Sequence, residues 1–459
     1  MKTAESIPVS PTPLLPLEPD VLSAGICRGR TRRVCRLLLS VTVLFLGEVP
    51  LAAQEPGIAV PAGFRVGQFS DDDLAHDIQC LTFDNDGRVV VSGPGYIRIL
   101  IDDDGDGKAE SFRRFADGPK TGAQGMCFMG PHLLCSGDDG LIIYHDEDRN
   151  GQADGPPQTV LKIKAGGEHH VHSVQKGPDG WWYVIAGNMS EVTASYAALP
   201  TSPVMQPDAG VLMRLKPDLS GGEIVADGFR NAYDFAFTPT GDLFTYDSDG
   251  ERDVSLPWYR PTRVFHVTPG SNAGWVSRSW KRPDDFPDMP SVVAEFGRGS
   301  PTGVVCYRHL QFPGRFIGTL FVLDWTFGRI LGVSLEEARG FWKGQPFVFA
   351  KGTGQFGFAP TDLEVAPDGS LYVSVGGRGT RGGVYRVRSI RSPPVVLPPA
   401  ESAVGSRAQL QMCLQSPQPL ASWSRRRWEP LAESLGSEPF VRAALNERQP
   451  APERVRAIE

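Results

Sequence analysis

One short turn recurs along the chain and constrains its fold more than any other feature. Clear copies are "FDNDGRVVVS" (from residue 83), "GPDGWWYVIAG" (177), "TPTGDLFTYD" (238) and "APDGSLYVSVGG" (366); weaker copies are "FMGPHLLCSG" (128) and "FPGRFIGTLFVLD" (312). Each joins two apolar strands through a glycine-containing hairpin. The turns lie near residues 87, 131, 180, 241, 318 and 369, so six units of 40–80 residues follow one another.

Regular repetition of strand hairpins is typical of a β-propeller, because a blade can bury both of its faces only between two neighbours. We predict an all-β, six-bladed propeller over residues 57–388, with longer loops in the fourth and fifth units. The early strand "FRVGQF" (64–69) would complete the last blade beside "GVYRVR" (383–388) and leave no exposed edge. A pair of β-sandwiches is the alternative, and it explains the recurrence less well.

The segment before the propeller predicts export. Residues 28–36 are basic, residues 37–47 form the apolar run "LLLSVTVLFLG", and "LAA" (51–53) offers small residues for cleavage. The run is short for a membrane-spanning helix, which needs ~20 apolar residues. We therefore expect residues 1–53 to direct the protein to the periplasm or the exterior. An uncleaved N-terminal membrane anchor is the alternative.

The segment after the propeller changes character. A proline-rich linker, "SPPVVLPPAES", lies within residues 389–404. Residues 405–459 carry helical patterns in "SRAQLQMCLQ", "WEPLAESLG", "EPFVRAALNE" and "APERVRAIE". We expect a short, HEAT-like α-helical segment here, corresponding to the first part of a longer repeat region.

Charge and cysteine content exclude several classes of function. The net charge is −7, and residues 1–53 carry six basic and four acidic groups, so the rest carries −9. Such a chain lacks the clustered basic charge of a nucleic-acid surface. The later cysteines contain no CxxC pair and no zinc or haem spacing; they are Cys80, Cys127, Cys135, Cys306 and Cys413. A disulfide between Cys127 and Cys135 is one interpretation, and small buried thiols are the favoured one.

Two acidic loops are candidates for calcium. "DDDGDGKAE" (102–110) places Asp102, Asp104 and Asp106 at alternate positions, followed by Glu110. "DEDRNGQAD" (146–154) repeats the pattern 44 residues later. Alternating carboxylates around a glycine turn can direct their oxygens at one Ca²⁺, although the EF-hand pattern is not met. A solvated, Asx-rich hairpin is the alternative.

Three histidines precede one of the repeated turns. His170 and His172 would share a face of an extended strand, while His169 would point the other way. They are either metal ligands lacking a visible third partner, polar residues where a strand begins, or part of a catalytic site. Arg230 and Asn231 occupy the equivalent place one unit later. Because such positions lie near a propeller's central channel, a histidine base and an arginine could converge there on a small alcohol.

These segments resemble the soluble quinoprotein glucose/sorbosone dehydrogenase family over about residues 61–388. The similar pieces are "VPAGFRV", "EHHVHSVQKGPDGWWYVIAGN", "GFRNAYDFAFTPTGDLFTYDSDGERD", "GSNAGW" and "APDGSLYVSVGGRGTRGGVYRV". The linker and helical tail are similar to larger exported "membrane-bound dehydrogenase" propellers, which continue into HEAT-like repeats.

The resemblance implies oxidation of a sugar or related alcohol with pyrroloquinoline quinone and calcium. It makes His169 the base and Arg230 the group that stabilises charge on the reduced cofactor, with Arg230 and Asn231 facing the quinone. It implies that the loop 247–253 holds the bridging calcium, and an electron-acceptor protein is an implied partner. The residues that would form this calcium site are Asp247, Asp249, Gly250 and Asp253.

The chain departs from the family where cations hold the quinone. A lysine in the fifth blade and two arginines at the start of the sixth correspond here to Thr326, Ala359 and Thr361. Candidates to replace them are Arg298, Arg308, Arg329, Arg378 and Arg381. A sugar oxidoreductase is the leading hypothesis. The alternative is a non-catalytic, calcium-stabilised propeller that binds or scaffolds, and a lactonase-like hydrolase is third.

Overall fold

The protein is a toroid of six β-sheets. The computed structural model describes residues 51–54, 57–277, 280–354 and 357–459. Within these ranges, 26 strands form six antiparallel sheets, and the first strand of each complete blade contacts its counterpart in a neighbouring blade. The predicted six-bladed β-propeller is confirmed.

The strands follow the chain in blade order. Three precede the first complete blade: β1 (Leu51–Gln54), β2 (Ile58–Pro61) and β3 (Phe64–Ser70). The first blade contains β4 (Cys80–Phe83), β5 (Val89–Gly93), β6 (Tyr96–Ile101) and β7 (Ser111–Ala116). The second contains β8 (Gly125–Met129), β9 (His132–Gly137), β10 (Gly140–Tyr144) and β11 (Gln158–Lys162). The third contains β12 (Val171–Lys176), β13 (Trp182–Ala186), β14 (Gly210–Leu215) and β15 (Gly222–Phe229).

The remaining three blades complete the ring. The fourth contains β16 (Phe235–Phe237), β17 (Leu243–Asp247), β18 (Arg263–Val267) and β19 (Ser291–Glu295). The fifth contains β20 (Pro301–Cys306), β21 (Leu320–Asp324), β22 (Arg329–Ala338) and β23 (Phe341–Gly352). The sixth contains β24 (Pro360–Val365), β25 (Leu371–Val375) and β26 (Gly383–Ser389).

Four α-helices follow the last blade: α1 (Ser406–Gln415), α2 (Ser422–Leu435), α3 (Ser437–Leu445) and α4 (Ala451–Arg456). Short 3-10 turns occur at Ala194–Tyr196, Glu251–Asp253, Gly314–Phe316 and Ala400–Ser402. The helical character predicted for the C-terminal segment is therefore present, and its HEAT-like nature stays a prediction.

An early strand closes the ring. β3 pairs antiparallel with β26, with Val66 opposite Val387, and becomes the outermost strand of the sixth blade. This is the closure predicted from residues 64–69. The fifth blade is extended as well, because β2 pairs with β23 and β1 pairs with β2. That extension has no counterpart in the sequence prediction.

The recurring turn joins the innermost strand of a blade to the second strand. Every predicted turn lies between the two expected strands, for example between β12 and β13 and between β24 and β25. Gly180 and Gly369 have φ values of 80° and 84°, which non-glycine residues rarely adopt. We call the side of the toroid that carries these turns the lower face. The inner strands begin on the opposite side, the upper face.

The core lies between blades, which explains why the strands are continuously apolar. On β13, Val184 packs with Leu134 of the second blade, whereas its neighbour Ile185 packs with Phe235 of the fourth. Successive side chains thus point to opposite neighbouring blades. A strand buried on both faces needs apolar residues at every position instead of at alternate ones.

The cysteines behave as small apolar residues. All five in the described part of the chain are buried and free. Cys135 lies opposite Met126, and Cys127 lies opposite Leu134, so the two thiols point into different inter-blade cores. The favoured interpretation is confirmed and the alternative disulfide is wrong.

The C-terminal helices dock on the lower face. The Trp423 side chain of α2 is buried beside β4 and β5, and its Nε1 donates to the Val365 carbonyl at 3.1 Å. The guanidinium of Arg425, also on α2, donates to the carbonyl of Phe128 in the second blade at 2.5 Å. A cavity of about 80 Å³ inside the channel is lined by all six inner strands and by residues 418–422. The helical segment therefore covers the lower end of the channel.

The N-terminal prediction falls almost entirely outside the described residues. Of the expected export segment, residues 1–53, only residues 51–53 are described, as part of β1. Across the ranges that the structure describes, every helix is too short or too polar to cross a bilayer. Export and membrane anchoring stay predictions.

Docking of α2 predicts a stability difference between two of its side chains. Replacing Trp423 by Ala should lower the free energy of unfolding by about 3–5 kcal/mol, because a buried indole is lost. Replacing Arg426 by Ala, on the same helix, removes an exposed ion pair with Asp86 and should cost no more than about 1 kcal/mol. Urea unfolding of the full chain measures both. Equal effects would show that α2 does not depend on the Trp423 contact.

Candidate functional site

Residues of adjacent blades converge at the upper end of the channel. His169 lies just before β12, and Arg230 lies between β15 and β16. Asn188, just after β13, joins them: its backbone N–H donates to the Arg230 carbonyl at 2.9 Å, and its side chain lies 2.6 Å from Nδ1 of His169. The structure therefore brings the predicted His169 and Arg230 together at the hub of the toroid.

The Asn188 amide is oriented by its neighbours. The Arg230 carbonyl can only accept, and Nε1–H of Trp275 can only donate. The amide nitrogen therefore faces the carbonyl (2.9 Å) and His169 Nδ1 (2.6 Å), while the amide oxygen accepts from Trp275 at 3.1 Å. With Nδ1 accepting a hydrogen bond, the neutral imidazole of His169 carries its proton on Nε2.

His169 is an uncharged imidazole at neutral pH. Its side chain is buried, and burial lowers its pKa below the usual 6.5, with the nearby Arg230 charge acting in the same direction. The hydrogen bond from Asn188 and the carboxylates of Glu168 and Glu251 oppose the shift. A neutral histidine at a channel mouth can exchange protons with a bound hydroxyl group.

The other two histidines have structural partners. Nε2 of His172 lies 2.9 Å from Oδ1 of Asn231, and its ring stacks on Tyr233 with centroids 4.3 Å apart. Complete burial lowers the pKa of His172 to about 3. His170 bonds through Nδ1 with the Ala165 carbonyl at 2.9 Å. Among the described residues, the close groups of potential metal ligands do not include these histidines.

Arg230 is fixed in place by a carboxylate. Its guanidinium donates to Glu251 at 3.0 and 3.3 Å and to the Ser248 hydroxyl at 2.8 Å. It also lies over the Trp275 ring, 5.4 Å from the centroid. A two-point contact restricts a guanidinium more than a single ion pair does, so its positive charge has a defined position.

The predicted calcium loop 247–253 is already paired with protein groups. Asp247 is buried and accepts from the backbone N–H groups of Arg230 (2.9 Å), Asn231 (2.8 Å) and Ser248 (2.8 Å). Burial raises the pKa of Asp247 to about 6, although these hydrogen bonds oppose the shift. Its carboxylate therefore holds the turn that presents Arg230.

The other carboxylates of this loop face a lysine. The Lys281 ammonium contacts Asp249 and lies 3.0 Å from Asp253. The Gly250 amide N–H donates to Asp249 at 2.6 Å. Because an ammonium group lies where a metal would need these oxygens, the residues as arranged do not fit a calcium ion.

The acidic loop 102–110 lies elsewhere, on the lower face between β6 and β7. Oxygens of Asp102, Asp104, Asp106 and Glu110 lie within 4.8 Å of one another. Asp102 accepts from the Gly105 N–H at 2.8 Å and from the Gly107 N–H at 3.0 Å. This set of hard oxygen donors fits calcium. Loop 146–154 groups Asp146, Asp148 and Asp154 in the same way.

Two of the three positions at which the resembling family has a lysine or an arginine carry threonine here, and each threonine hydroxyl pairs with a serine hydroxyl. The Thr326 hydroxyl lies 2.7 Å from that of Ser300, and the buried Thr361 hydroxyl lies 2.9 Å from that of Ser374. Neither pair supplies positive charge. Ala359 is a third neutral residue at these positions.

One of the candidate replacement arginines reaches the upper mouth. Arg378 lies over the Trp325 ring, 5.1 Å from its centroid, and pairs with Glu168, the residue before His169. Arg329 is instead paired with the buried Asp324, and the backbone N–H of Arg308 donates to Gln418 at the lower end of the channel. Arg378 is therefore the best placed of these three to meet an anionic ligand.

The channel interior contains buried carboxyl groups that sequence reasoning missed. Asp234 accepts from the Val304 N–H at 2.7 Å, and Asp362 accepts from the Leu81 N–H at 2.9 Å. Burial, and then repulsion from Asp234, raise the pKa of Asp362 to about 8. Burial also raises the pKa of Asp234 to about 6. The signal available in the sequence was an acidic residue in an inner strand, as for Asp362 in β24, or directly before one, as for Asp234 before β16.

Comparison with known proteins identifies the family of the chain and the solved structures that share its fold. Residues 53–374 match the model of a family described as a domain of unknown function, DUF7133. The chain belongs to the DUF7133 family. No curated protein sequence matches it.

Solved structures share the fold of this DUF7133 chain. One is described as an oxidoreductase (glucose dehydrogenase) from Thermus thermophilus, with a TM-score of 0.53 and 22% identity over 71% of this chain and 100% of that one. The pyrroloquinoline quinone-bound aldose sugar dehydrogenase of Streptomyces coelicolor has a TM-score of 0.53 and 18% identity over 72% and 100%.

The soluble aldose sugar dehydrogenase of Escherichia coli, in its apo form, gives a TM-score of 0.51 and 16% identity over 71% of this chain and 99% of that one. The resemblance to sugar dehydrogenase propellers is confirmed at the level of the fold. Sequence identities this low show that the fold is shared. The chemistry of this chain has to be inferred from the residues of its own site.

Four contributors to the upper mouth escaped sequence reasoning: Asn188, Glu251, Trp275 and Lys281. Asn188, Glu251 and Trp275 lie within segments that carried the family resemblance, so a signal for them existed. Lys281 lies in the irregular connection between β18 and β19, where no periodicity indicates which carboxylate it meets.

The buried channel carboxyls predict a pH-dependent stability. The pKa of Asp362 is about 8 in the folded chain, above the ordinary 3.8, so folding takes up a proton between these values. The stabilisation of the folded chain by protonated Asp362 is present at low pH and is lost as the pH rises through 8. We expect the free energy of unfolding to fall from pH 5 to pH 8, and to fall less steeply in Asp362→Asn.

Urea unfolding at several pH values measures this slope. The control is Asp117→Asn, which removes an exposed carboxylate and should keep the wild-type slope. An unchanged slope in Asp362→Asn would mean that this carboxyl is not protonated on folding.

Proposed function

We propose that the protein oxidises a sugar or a related alcohol bound at the upper mouth of the channel, between His169 and Arg230. The observation that carries this proposal is that both side chains border the Asn188 amide. The amide lies 2.6 Å from Nδ1 of His169 and accepts from Trp275, whose ring centroid is 5.4 Å from the Arg230 guanidinium. A neutral imidazole beside a fixed guanidinium suits a hydroxyl group that loses a proton while negative charge develops nearby.

The surroundings of the two residues support a sugar as ligand. The rings of Trp275 and Trp325 belong to the same mouth, and each lies under an arginine. Aromatic rings beside charged hydrogen-bonding groups can contact both the apolar face and the hydroxyls of a sugar. The fold shared with aldose sugar dehydrogenases supports the same class of ligand.

A quinone cofactor belongs to this proposal, and its anionic groups would compete with Glu251 for Arg230 and with Glu168 for Arg378. Arg230 and Arg378 would hold it beside Trp325. When bound, such a quinone accepts the hydrogen and the two electrons that leave the substrate carbon. A calcium bridge through residues 247–253 is not part of the proposal, because Lys281 already contacts those carboxylates.

His169 would receive the hydroxyl proton at Nε2. This requires the Asn188 amide to present its oxygen to Nδ1, so that Nδ1–H donates and Nε2 is free. In the structure the opposite orientation satisfies the Arg230 carbonyl and Trp275. Ligand binding must therefore compensate for these two hydrogen bonds before His169 can act as a base.

A second candidate function is a non-catalytic propeller that binds a polyhydroxylated ligand. Two observations favour it. Asn188 stands beside His169 and favours the tautomer in which Nε2 is a donor. Uncharged Thr326 and Thr361 fill positions where the resembling family has cations. Such a site would recognise a sugar by hydrogen bonds without removing a proton.

Export belongs to the proposal too, with residues 1–53 as signal or anchor and an electron-acceptor protein as partner of the oxidoreductase. The basic, apolar and small-residue order of this segment supports it. Mass spectrometry of the mature chain tests cleavage. If the N-terminus is intact, residues 1–53 are not a cleaved signal, and the membrane anchor is the interpretation that remains.

Oxidation predicts a specific loss in His169→Ala. The full chain, supplied with pyrroloquinoline quinone, should reduce a redox dye in the presence of an aldose. His169→Ala should lower kcat about 10²–10⁴-fold, because the proton acceptor is removed. The control is His132→Ala, a histidine of β9 on the lower face, which should retain the wild-type rate.

Two further outcomes separate the candidates. Aldoses that raise Tm without any dye reduction would establish the binding function and contradict oxidation. Activity that survives in His169→Ala would contradict the role of His169 as base.

We further propose that loop 102–110 holds a structural calcium ion. Millimolar Ca²⁺ should raise the Tm of the full chain, and a chelator should reverse the increase. Asp104→Asn removes one charged ligand and should reduce this shift, whereas Asp103→Asn, outside the ligand group, should keep it. A Tm independent of calcium in the wild type would show a solvated hairpin instead.

A further inference from the structure

Lys281 is buried among oxygen atoms at the upper mouth. Its side chain is only 5% exposed, as is that of Asp249. The ammonium contacts Asp249, lies 3.0 Å from Asp253 and lies 3.4 Å from the Trp258 carbonyl oxygen. An ammonium group has three N–H donors, and three oxygens surround it here.

These oxygens are of the kind that bind calcium. Two carboxylates and a backbone carbonyl are hard donors, and a loop of this type usually needs a cation to hold its carboxylates together. Here the cation is part of the polypeptide, supplied from the connection between β18 and β19.

We propose that Lys281 takes the place of a metal ion at the upper mouth, so that loop 247–253 keeps its shape without calcium. The proposal concerns the loop itself and does not depend on sugar oxidation. It predicts that this end of the channel is indifferent to calcium, in contrast to loop 102–110 on the lower face.

The charge around the loop agrees with this assignment. Asp249 faces Lys281 and, at 3.8 Å, Arg263; Glu251 is paired with Arg230. The carboxylates of the loop are thus matched by three basic side chains. A divalent ion added among them would be repelled by each of these cations at short range.

Lys281 is also linked to the candidate site through one ring. Its ammonium lies 5.5 Å from the centroid of Trp275, whose Nε1–H donates to Asn188, which in turn contacts His169. Lys281 therefore lies between the loop and the tryptophan that orients the asparagine.

Removal of the lysine tests the proposal. Lys281→Met should remove the ammonium from Asp249 and Asp253, leaving only Arg263 at 3.8 Å from Asp249, and create a site for a trivalent or divalent ion. Tb³⁺ is a suitable probe, because a nearby tryptophan sensitises its luminescence, and Trp275 is adjacent. All proteins are full-length and carry Asp104→Asn, which weakens the lower-face loop.

The expected result is tryptophan-sensitised Tb³⁺ luminescence in Lys281→Met at least about tenfold above that of the protein with Lys281, displaced by Ca²⁺. Lys281→Arg, which keeps the positive charge, should show no gain. Equal sensitised luminescence with Lys281 present would overturn the proposal, and so would the absence of any gain in a folded Lys281→Met protein.

A second measurement needs no substitution and covers the case in which Lys281→Met does not fold. Acetylation of the unsubstituted chain, followed by mass spectrometry, should leave Lys281 protected both in chelator and in millimolar Ca²⁺. Lys164, which is about half exposed, is the reactive control. Labelling of Lys281 that increases on adding Ca²⁺ would show that the metal displaces the lysine, and would overturn the proposal.

Discussion

The pairing of β3 with β26 is the contact on which the rest of the molecule depends. Each inner strand reaches the axis only if the ring is closed, and closure requires two segments more than 300 residues apart to share one sheet. Loop-closure entropy opposes such a contact, and burial of apolar residues between six blades offsets it. Packing of the third blade against the fourth then makes neighbours of residues some sixty positions apart, such as His169 and Arg230, which both contact Asn188.

The fold could be predicted because its signals are local. Each inner hairpin has a glycine turn and an apolar strand on either side, and six copies imply a ring. Strand β3 was predictable for the same reason, since its apolar residues needed a sheet that the last blade left incomplete. The extension of the fifth blade by β1 and β2 was not, because nothing in those short strands identifies their partner.

The site was predictable only in part, and the reason is physical. The places of His169 and Arg230 follow from blade geometry, as each precedes an inner strand. Their partners do not, because Asn188 and Lys281 lie in the long connections at residues 187–209 and 268–290, which have no periodicity. A carboxylate seen in sequence can bind a metal, a lysine or backbone N–H groups, and only the folded chain selects among them.

Aspartates in similar patterns consequently have different fates on the two faces. In loop 102–110 the side chains bond with their own backbone and leave oxygens for a cation. In loop 247–253, Asp247 holds the backbone of Arg230 and Asn231, while Asp249 and Asp253 meet Lys281. Spacing of acidic residues alone does not distinguish these cases, since both have carboxylates at alternate positions.

The cover that residues 418–422 and α2 place over the lower end has a consequence for traffic through the protein. Because the lower end is covered, a molecule that reaches His169 from the upper mouth must also leave through the upper mouth. Substrate, product and any bulky redox partner would then compete for this one opening. An enzyme with a single opening would bind its substrate and its redox partner alternately. Double-reciprocal plots of its steady-state rate would then give the parallel lines of ping-pong kinetics.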